Sequence, residues 1–223
     1  ESEIKKYQDF LKDQGGLLTY RTSSGKKTVY EVNITLFDAL KNTYNNKDNF
    51  AIERFLLAHS IMFAFEGIPA VYINNLFGTE NDYKKVKYTG LNRAINRKNW
   101  EFNELASNLK NKKSKNFKIY NELNKIIHLR KKQPGFHPNA TQFTLQLDDS
   151  FFGLWRQSID RSQSIFCISN LINKKNKIPL FDINLISTDS WFDIFTKKQI
   201  KINDSELIFN PYQTMWITNK KAR

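Results

Sequence analysis

The chain has 223 residues, 40% hydrophobic and 26% charged, a balance that disfavours extended disorder and fits one large domain or two small ones. Its net charge is +13 and it holds one cysteine, Cys167, so an intramolecular disulfide and a cysteine-ligated metal cluster are both excluded. The longest apolar stretch, Phe55 to Phe65, is broken by His59 and Ser60 and falls short of the roughly 20 residues that cross a bilayer as a helix.

The chain opens Glu1-Ser2-Glu3-Ile4-Lys5-Lys6, with no initiator methionine and no basic-then-apolar leader, and reads as internal to a longer protein. Ile4, Tyr7, Phe10 and Leu11 recur at helical spacing, with Gly15-Gly16 as a stop, which predicts a helix over 3–14. Arg21 to Thr28 is polar and turn-forming and reads as a loop, and the apolar period of Val32 to Leu40 predicts a short helix. Asp48 can cap a long helix in which Ile52, Phe55, Leu56, His59 and Phe63 share a face. Ile68 to Ile73, announced by Gly67 and Pro69, predicts a buried strand. Two further helices follow from Phe102-Leu105-Leu109 and Phe117-Tyr120-Leu123-Ile127, the second capped by Ser114, before Gln133-Pro134-Gly135 breaks the pattern at an expected domain boundary. Beyond it the period changes to short β-favouring runs, at 143–147, 152–154, 165–168, 180–186, 191–195 and 215–217, which predict an antiparallel sheet or sandwich.

The lysine runs at 110–118, 131–132, 174–177, 197–198 and 220–221 are spread over both halves, as on a solvated surface. A nucleic-acid binder concentrates its charge on one face and interleaves exposed aromatics, so no specific nucleic-acid partner is expected. His59, His128 and His137 stand in unrelated contexts without metal-ligand spacing, and no metal or cofactor is expected. Asp148-Asp149 and Glu80 to Asp82 lie at turns and do not give the facing carboxylates of glycoside chemistry. Trp155, Trp191 and Trp216 fall in the β half, where core packing is the simple reading. Two segments stand out: Val29-Tyr30-Glu31-Val32-Asn33-Ile34-Thr35, and Thr89-Gly90-Leu91-Asn92-Arg93-Ala94-Ile95-Asn96-Arg97. Loops after parallel strands are where barrel enzymes build their sites.

Those two segments, with Gly15-Gly16 and Leu17 to Arg21, Asp38-Ala39-Leu40, Gly67-Ile68-Pro69-Ala70-Val71-Tyr72, Gly78, Asn81-Asp82, Arg130, Gln133-Pro134 and Phe136-His137-Pro138, resemble the α-amylase-type glycoside hydrolases, in the branch of the sucrose, sucrose 6-phosphate and glucosylglycerate phosphorylases. The Gly-x-Pro-x-x-Tyr run is common to amylase-type barrels. Its combination with Arg93-Ala94-Ile95-Asn96-Arg97 is more specific. The resemblance implies that residues 1–134 are the last part of a (β/α)8 barrel with Ile68 to Ile73 as its eighth strand, and that 135–223 form an appended β-sandwich. It also implies that the nucleophile, the acid/base and the third catalytic carboxylate precede the segment matching Glu1, so this chain alone is expected to be inactive and to require an upstream barrel segment. Arg93 matches the arginine that holds the far hydroxyls of the glucosyl ring, while Tyr30 and Glu31 match a mobile loop on the acceptor and phosphate side. The implied partners are an α-glucoside and phosphate, with no membrane, and the implied location is cytoplasmic. Two alternatives stay open: a non-catalytic carbohydrate-binding module, and a basic protein that binds nucleic acid or other anions.

Overall fold

Period and capping chemistry set most of the helices. Helix α1 (Ser2–Asp13) ends where Gly15 takes a φ of +93°, and Gly16 returns its amide to the Leu11 carbonyl at 2.9 Å, a left-handed stop that suits glycine. The computed structural model describes residues 2–45, 47–183, 190–200 and 206–220, and these divide into two compact units, 1–55 with 71–121, and 56–70 with 122–223.

In the first unit, the stretch expected to be a loop at Arg21 to Thr28 is instead the tip of a β-hairpin, formed by β1 (Leu17–Ser23) and β2 (Lys26–Asn33). Its two turn residues, Ser24 and Gly25, have φ of 51° and 76°, the positive pair whose twist matches antiparallel strands. The short helix expected over 32–40 contracts to α2 (Leu36–Ala39), because Val32 and Asn33 finish β2 and Thr35 caps the helix through the Asp38 amide. Asp48 accepts the Phe50 amide at 3.0 Å and grips Arg54 Nη1 with both oxygens at 2.7 and 2.8 Å, which anchors the start of α3 (Ala51–Ala64). Phe55, on the face expected from the sequence, is fully buried.

The run expected to be a buried strand is neither buried nor a strand. Ile68 is 85% exposed, Tyr72 and Ile73 are exposed, and Ile73 starts α4 (Ile73–Leu76). A strand exists only when a neighbouring chain accepts its ladder bonds, and among the described residues none pairs with 67–72. Every described strand pair is antiparallel.

Helix α5 (Tyr83–Thr89) starts at Asp82, whose carboxylate accepts the Lys85 amide at 2.9 Å, and stops at Gly90 with φ +71°. A 3-10 turn (Asn92–Asn96) and α6 (Phe102–Lys110) follow. Helix α7 (Lys115–Lys131) begins as expected at Ser114, whose hydroxyl accepts the Phe117 amide at 3.0 Å.

The second unit carries the change of period. Strands β3 (Thr141–Thr144), β4 (Phe151–Gln157), β5 (Ser164–Asn170), β9 (Thr214–Thr218) and β7 (Phe192–Asp193) make one five-stranded antiparallel sheet in that order. Strands β6 (Asn176–Pro179) and β8 (Glu206–Phe209) pair separately. The strand expected over 180–186 begins instead as a 3-10 turn at Leu180–Ile183, and its remainder lies outside the described residues. One apolar cluster joins both sheets: Phe151, Phe166, Ile168 and Ile217 from the larger, Ile178, Leu207 and Phe209 from the smaller. Its burial is the main stabilising term of this unit.

Arg156, inward on β4 and 0% exposed, donates to the carbonyls of Ala64, His137 and Ala140 at 3.0, 3.0 and 3.2 Å. Arg130 donates to those of Phe63 and Gly67 at 2.8 and 3.2 Å. Two guanidinium groups thus serve the orphan carbonyls at the end of α3, where the helix dipole favours positive charge. No described helix is long and apolar enough to cross a membrane.

Candidate functional site

Two of the three residues singled out by the sequence meet in space. The hairpin slips register between Thr19, opposite Glu31, and Tyr20, opposite Val29. Tyr30 is the extra residue of this bulge and is 61% exposed, the kind of irregularity that re-aims side chains beside functional sites. From the other side, Ala94 and Ile95 are buried and hold the 3-10 turn down, which leaves Arg93 outward. Arg93 Nη2 donates to Glu31 Oε2 at 3.2 Å, across 62 positions of sequence. The Arg93 side chain is 49% exposed and that of Glu31 35%, so the pair is worth at most about 1 kcal/mol and keeps guanidinium N–H groups free for hydroxyl or phosphate oxygens. Arg97 stands outside this contact, and its carbonyl accepts from Lys85 Nζ.

A polar network built from residues of the family motifs fixes the ground beneath the turn. Asp38, buried, accepts the Asn81 amide at 2.6 Å and the Thr35 hydroxyl at 3.2 Å, and Asn81 accepts the Thr35 amide at 2.8 Å. The Asp82 amide donates to the Ile95 carbonyl at 2.8 Å, and the Tyr83 hydroxyl to Gly15 at 2.9 Å. Glu80 lies between Lys115 at 3.2 Å and Lys41 at 3.6 Å. Burial would raise its carboxyl, but the two ammonium groups outweigh that and hold it below the usual range. For Lys115 burial wins over its pairing with Glu80, and its pKa falls.

An open groove of about 990 Å³ runs beside this network, lined by Tyr83, Lys85, Tyr88, Lys98, Trp100 and Lys115 among others. Three of its four lysines are engaged within the chain: Lys85 with the Arg97 carbonyl and Asn99, Lys98 with Glu104 at 3.1 Å and over the Trp100 ring at 3.6 Å, Lys115 with Glu80, while Lys84 also lines it. The groove is open to solvent, and most of its charged groups are already satisfied within the chain. Among the described residues no three His, Cys, Asp or Glu side chains cluster so as to hold a metal ion.

No family profile matches the sequence. Individual proteins do. Glucosylglycerate phosphorylase of Escherichia coli is 33% identical over 220 residues, 97% of this chain and 37% of that protein. That of Spirochaeta thermophila is 25% identical over 217 residues, 93% of this chain and 37% of that protein. Among solved structures, sucrose 6F-phosphate phosphorylase from Thermoanaerobacter thermosaccharolyticum superimposes with a TM-score of 0.63 at 22% identity, covering 94% of this chain and 36% of the other; at that identity the likeness speaks for the fold.

The chain belongs to the α-amylase-type glycoside hydrolases, in their sucrose phosphorylase branch. It spans just over a third of the length of the curated relatives it matches and corresponds to a C-terminal part of such phosphorylases. This α-amylase-family part combines helices with antiparallel sheets. In it the polar junction of Asp38, Asn81 and Asp82 supports the loop that presents Arg93. The sequence pointed to these residues in two ways: Asp38 and Asn81-Asp82 stand among the motifs that carry the resemblance, and Thr35 three residues before Asp38 is a capping pattern, as is Asp82 before α5.

Proposed function

We propose that this chain is the C-terminal part of a retaining α-glucoside phosphorylase, which moves a glucosyl group from a sucrose-like or glucosylglycerate-like donor to inorganic phosphate. Residues 1–134 are then the end of its (β/α)8 catalytic barrel and 135–223 its β-sandwich. One observation carries the reading: Glu31 and Arg93, which the family resemblance assigns to the two sides of one sugar site, meet at 3.2 Å although 62 positions apart.

In such a reaction a carboxylate attacks the anomeric carbon while an acid protonates the departing oxygen. Phosphate then takes the glucosyl group and frees the carboxylate, giving glucose 1-phosphate. The carboxylates belong to the preceding part of the barrel, so the upstream segment is the partner this chain needs. Arg93 supplies charge-assisted donors to the sugar hydroxyls. Glu31 orients that guanidinium, and Tyr30, turned out by the bulge, offers an aromatic face on the acceptor side.

The test is release of glucose 1-phosphate from glucosylglycerate, sucrose and sucrose 6-phosphate in the presence of phosphate. The chain alone should give none, and the chain joined to an upstream barrel segment should be active. In the joined enzyme Arg93→Ala should lower kcat/KM by about ten-fold to a hundred-fold, the equivalent of one lost charge-assisted contact, while Arg97→Ala stays near normal. Turnover by the isolated chain, or equal loss from both arginines, defeats the proposal.

A further inference from the structure

The half-exposed Arg93–Glu31 pair is too weak to hold together two segments so distant in sequence. A junction beneath it does so. Asn92, the residue before Arg93, donates from Nδ2 to the Leu18 carbonyl at 3.1 Å and to Thr19 Oγ1 at 3.4 Å. From the hairpin's other strand Asn33, 1% exposed, donates from Nδ2 to the same Thr19 Oγ1 at 2.9 Å and to the Leu17 carbonyl at 3.2 Å. Thr19 is the residue opposite Glu31, next to the bulge at Tyr30. Its hydroxyl has two lone pairs, and two amides use them, one from the hairpin and one from the turn.

We infer that Thr19 and Asn92 are positioning residues, docking the hairpin onto the 3-10 turn so that Glu31 and Arg93 are already in register before any sugar arrives. Such preorganisation matters because a misplacement of about 1 Å can cost roughly a hundred-fold in rate. The inference rests on the reading of Arg93 and Glu31 as one sugar subsite and names what aligns it. A valine in place of Thr19 keeps the shape but offers no acceptor, leaving two amide donors short of a partner. A serine keeps the acceptor.

Two experiments test it, one independent of the reaction. In the chain itself, Thr19→Val should speed amide hydrogen exchange at Ala94 and Arg97, both hydrogen-bonded in the turn, by about ten-fold or more, with β4 and β5 unchanged, and Thr19→Ser should exchange as the unaltered chain does. Unchanged exchange in Thr19→Val overturns the docking role whatever the reaction proves to be. In the joined phosphorylase, Thr19→Val should lower kcat/KM by about ten-fold, with recovery in Thr19→Ser and no further loss when Arg93 is already Ala, because the residue acts through Arg93. Losses that add independently of Arg93 overturn the positioning role. Absence of activity in the joined enzyme overturns the phosphorylase reading, and the exchange result still decides the junction.

Discussion

Removing the Arg156 guanidinium should unfold the β-rich unit more readily than any surface change. Arg156→Met keeps a long apolar stem in the same slot but takes away donors from three carbonyls, those of Ala64, His137 and Ala140. A buried acceptor left unsatisfied costs about 1–3 kcal/mol. Against that stands the relief of a buried charge: burial pushes the Arg156 pKa down, a sign of its desolvation, although an arginine stays protonated at neutral pH. Three such acceptors, offset by that relief and by partial relaxation around the site, should leave a net loss of about 2–5 kcal/mol, a large share of the 5–15 kcal/mol that typically holds a domain together. Arg156→Lys, with one compact ammonium for three acceptors, should lie between. The assay is urea unfolding followed by tryptophan fluorescence, since Trp155 and Trp216 lie in the same sheet as Arg156. A loss below about 1 kcal/mol for the methionine variant would refute the reasoning, because it would mean that the cost of burying the charge cancels its three bonds.

Gly78→Ala should cost about 2–4 kcal/mol in the same assay, since a Cβ there would stand 2.2 Å from Ile119 Cδ1 at a φ of +55°, combining overpacking with left-handed strain; Gly25→Ala, with nothing within 4 Å, should cost only the backbone part, about 1–2 kcal/mol, and equal losses would argue against the steric account. The Asp160 carboxyl is lowered from 3.8 to about 2 by the hydroxyls of Ser158 and Ser162 and the Ser162 amide. Because its folded value is depressed, its contribution is complete above the ordinary carboxylate value and is lost as the pH falls toward about 2. Carbon-13 titration should show that low midpoint, and Ser158→Ala should raise it; a midpoint near the ordinary value in the unaltered chain contradicts this. Burial pushes the Cys167 thiol up, so thiol reagents at mildly alkaline pH should label it only on unfolding, and rapid labelling of the folded chain would show the site to be open.

Much of the helical frame was legible because helices carry their own hydrogen bonds. The stop at Gly15-Gly16, the buried face of Phe55, His59 and Phe63, and the cap at Ser114 all follow from residues within one or two turns of each other. The change to a period of two after Pro134 likewise foretold β3, β4, β5 and β9. The hairpin tip at 21–28 reads as a loop because it is exposed on both faces and shows no alternation, although Ser24-Gly25 is itself a turn signal. Strands β6 and β8 have no counterpart among the β-favouring runs expected from the sequence.

The candidate site divides in the same way. Arg93, Glu31 and Tyr30 were picked out by motif, but nothing in the sequence places Glu31 beside Arg93 or puts Asn92 on the Leu18 carbonyl. Nor could the alternation of Phe151 to Gln157 reveal that Arg156 is an inward, fully buried cation. Its partners lie at Ala64, His137 and Ala140, up to 92 positions away. Conversely, the apolar run at 68–73 has every local mark of a buried strand and is exposed, because a strand's hydrogen bonds come from its neighbours. The sequence by itself determined the elements whose bonds close within a few residues, and the family motifs. Which charges are buried, which strand finds a partner and which loop meets which were decided only by the tertiary structure, since those bonds join groups tens of residues apart and exist only once the chain has folded around them.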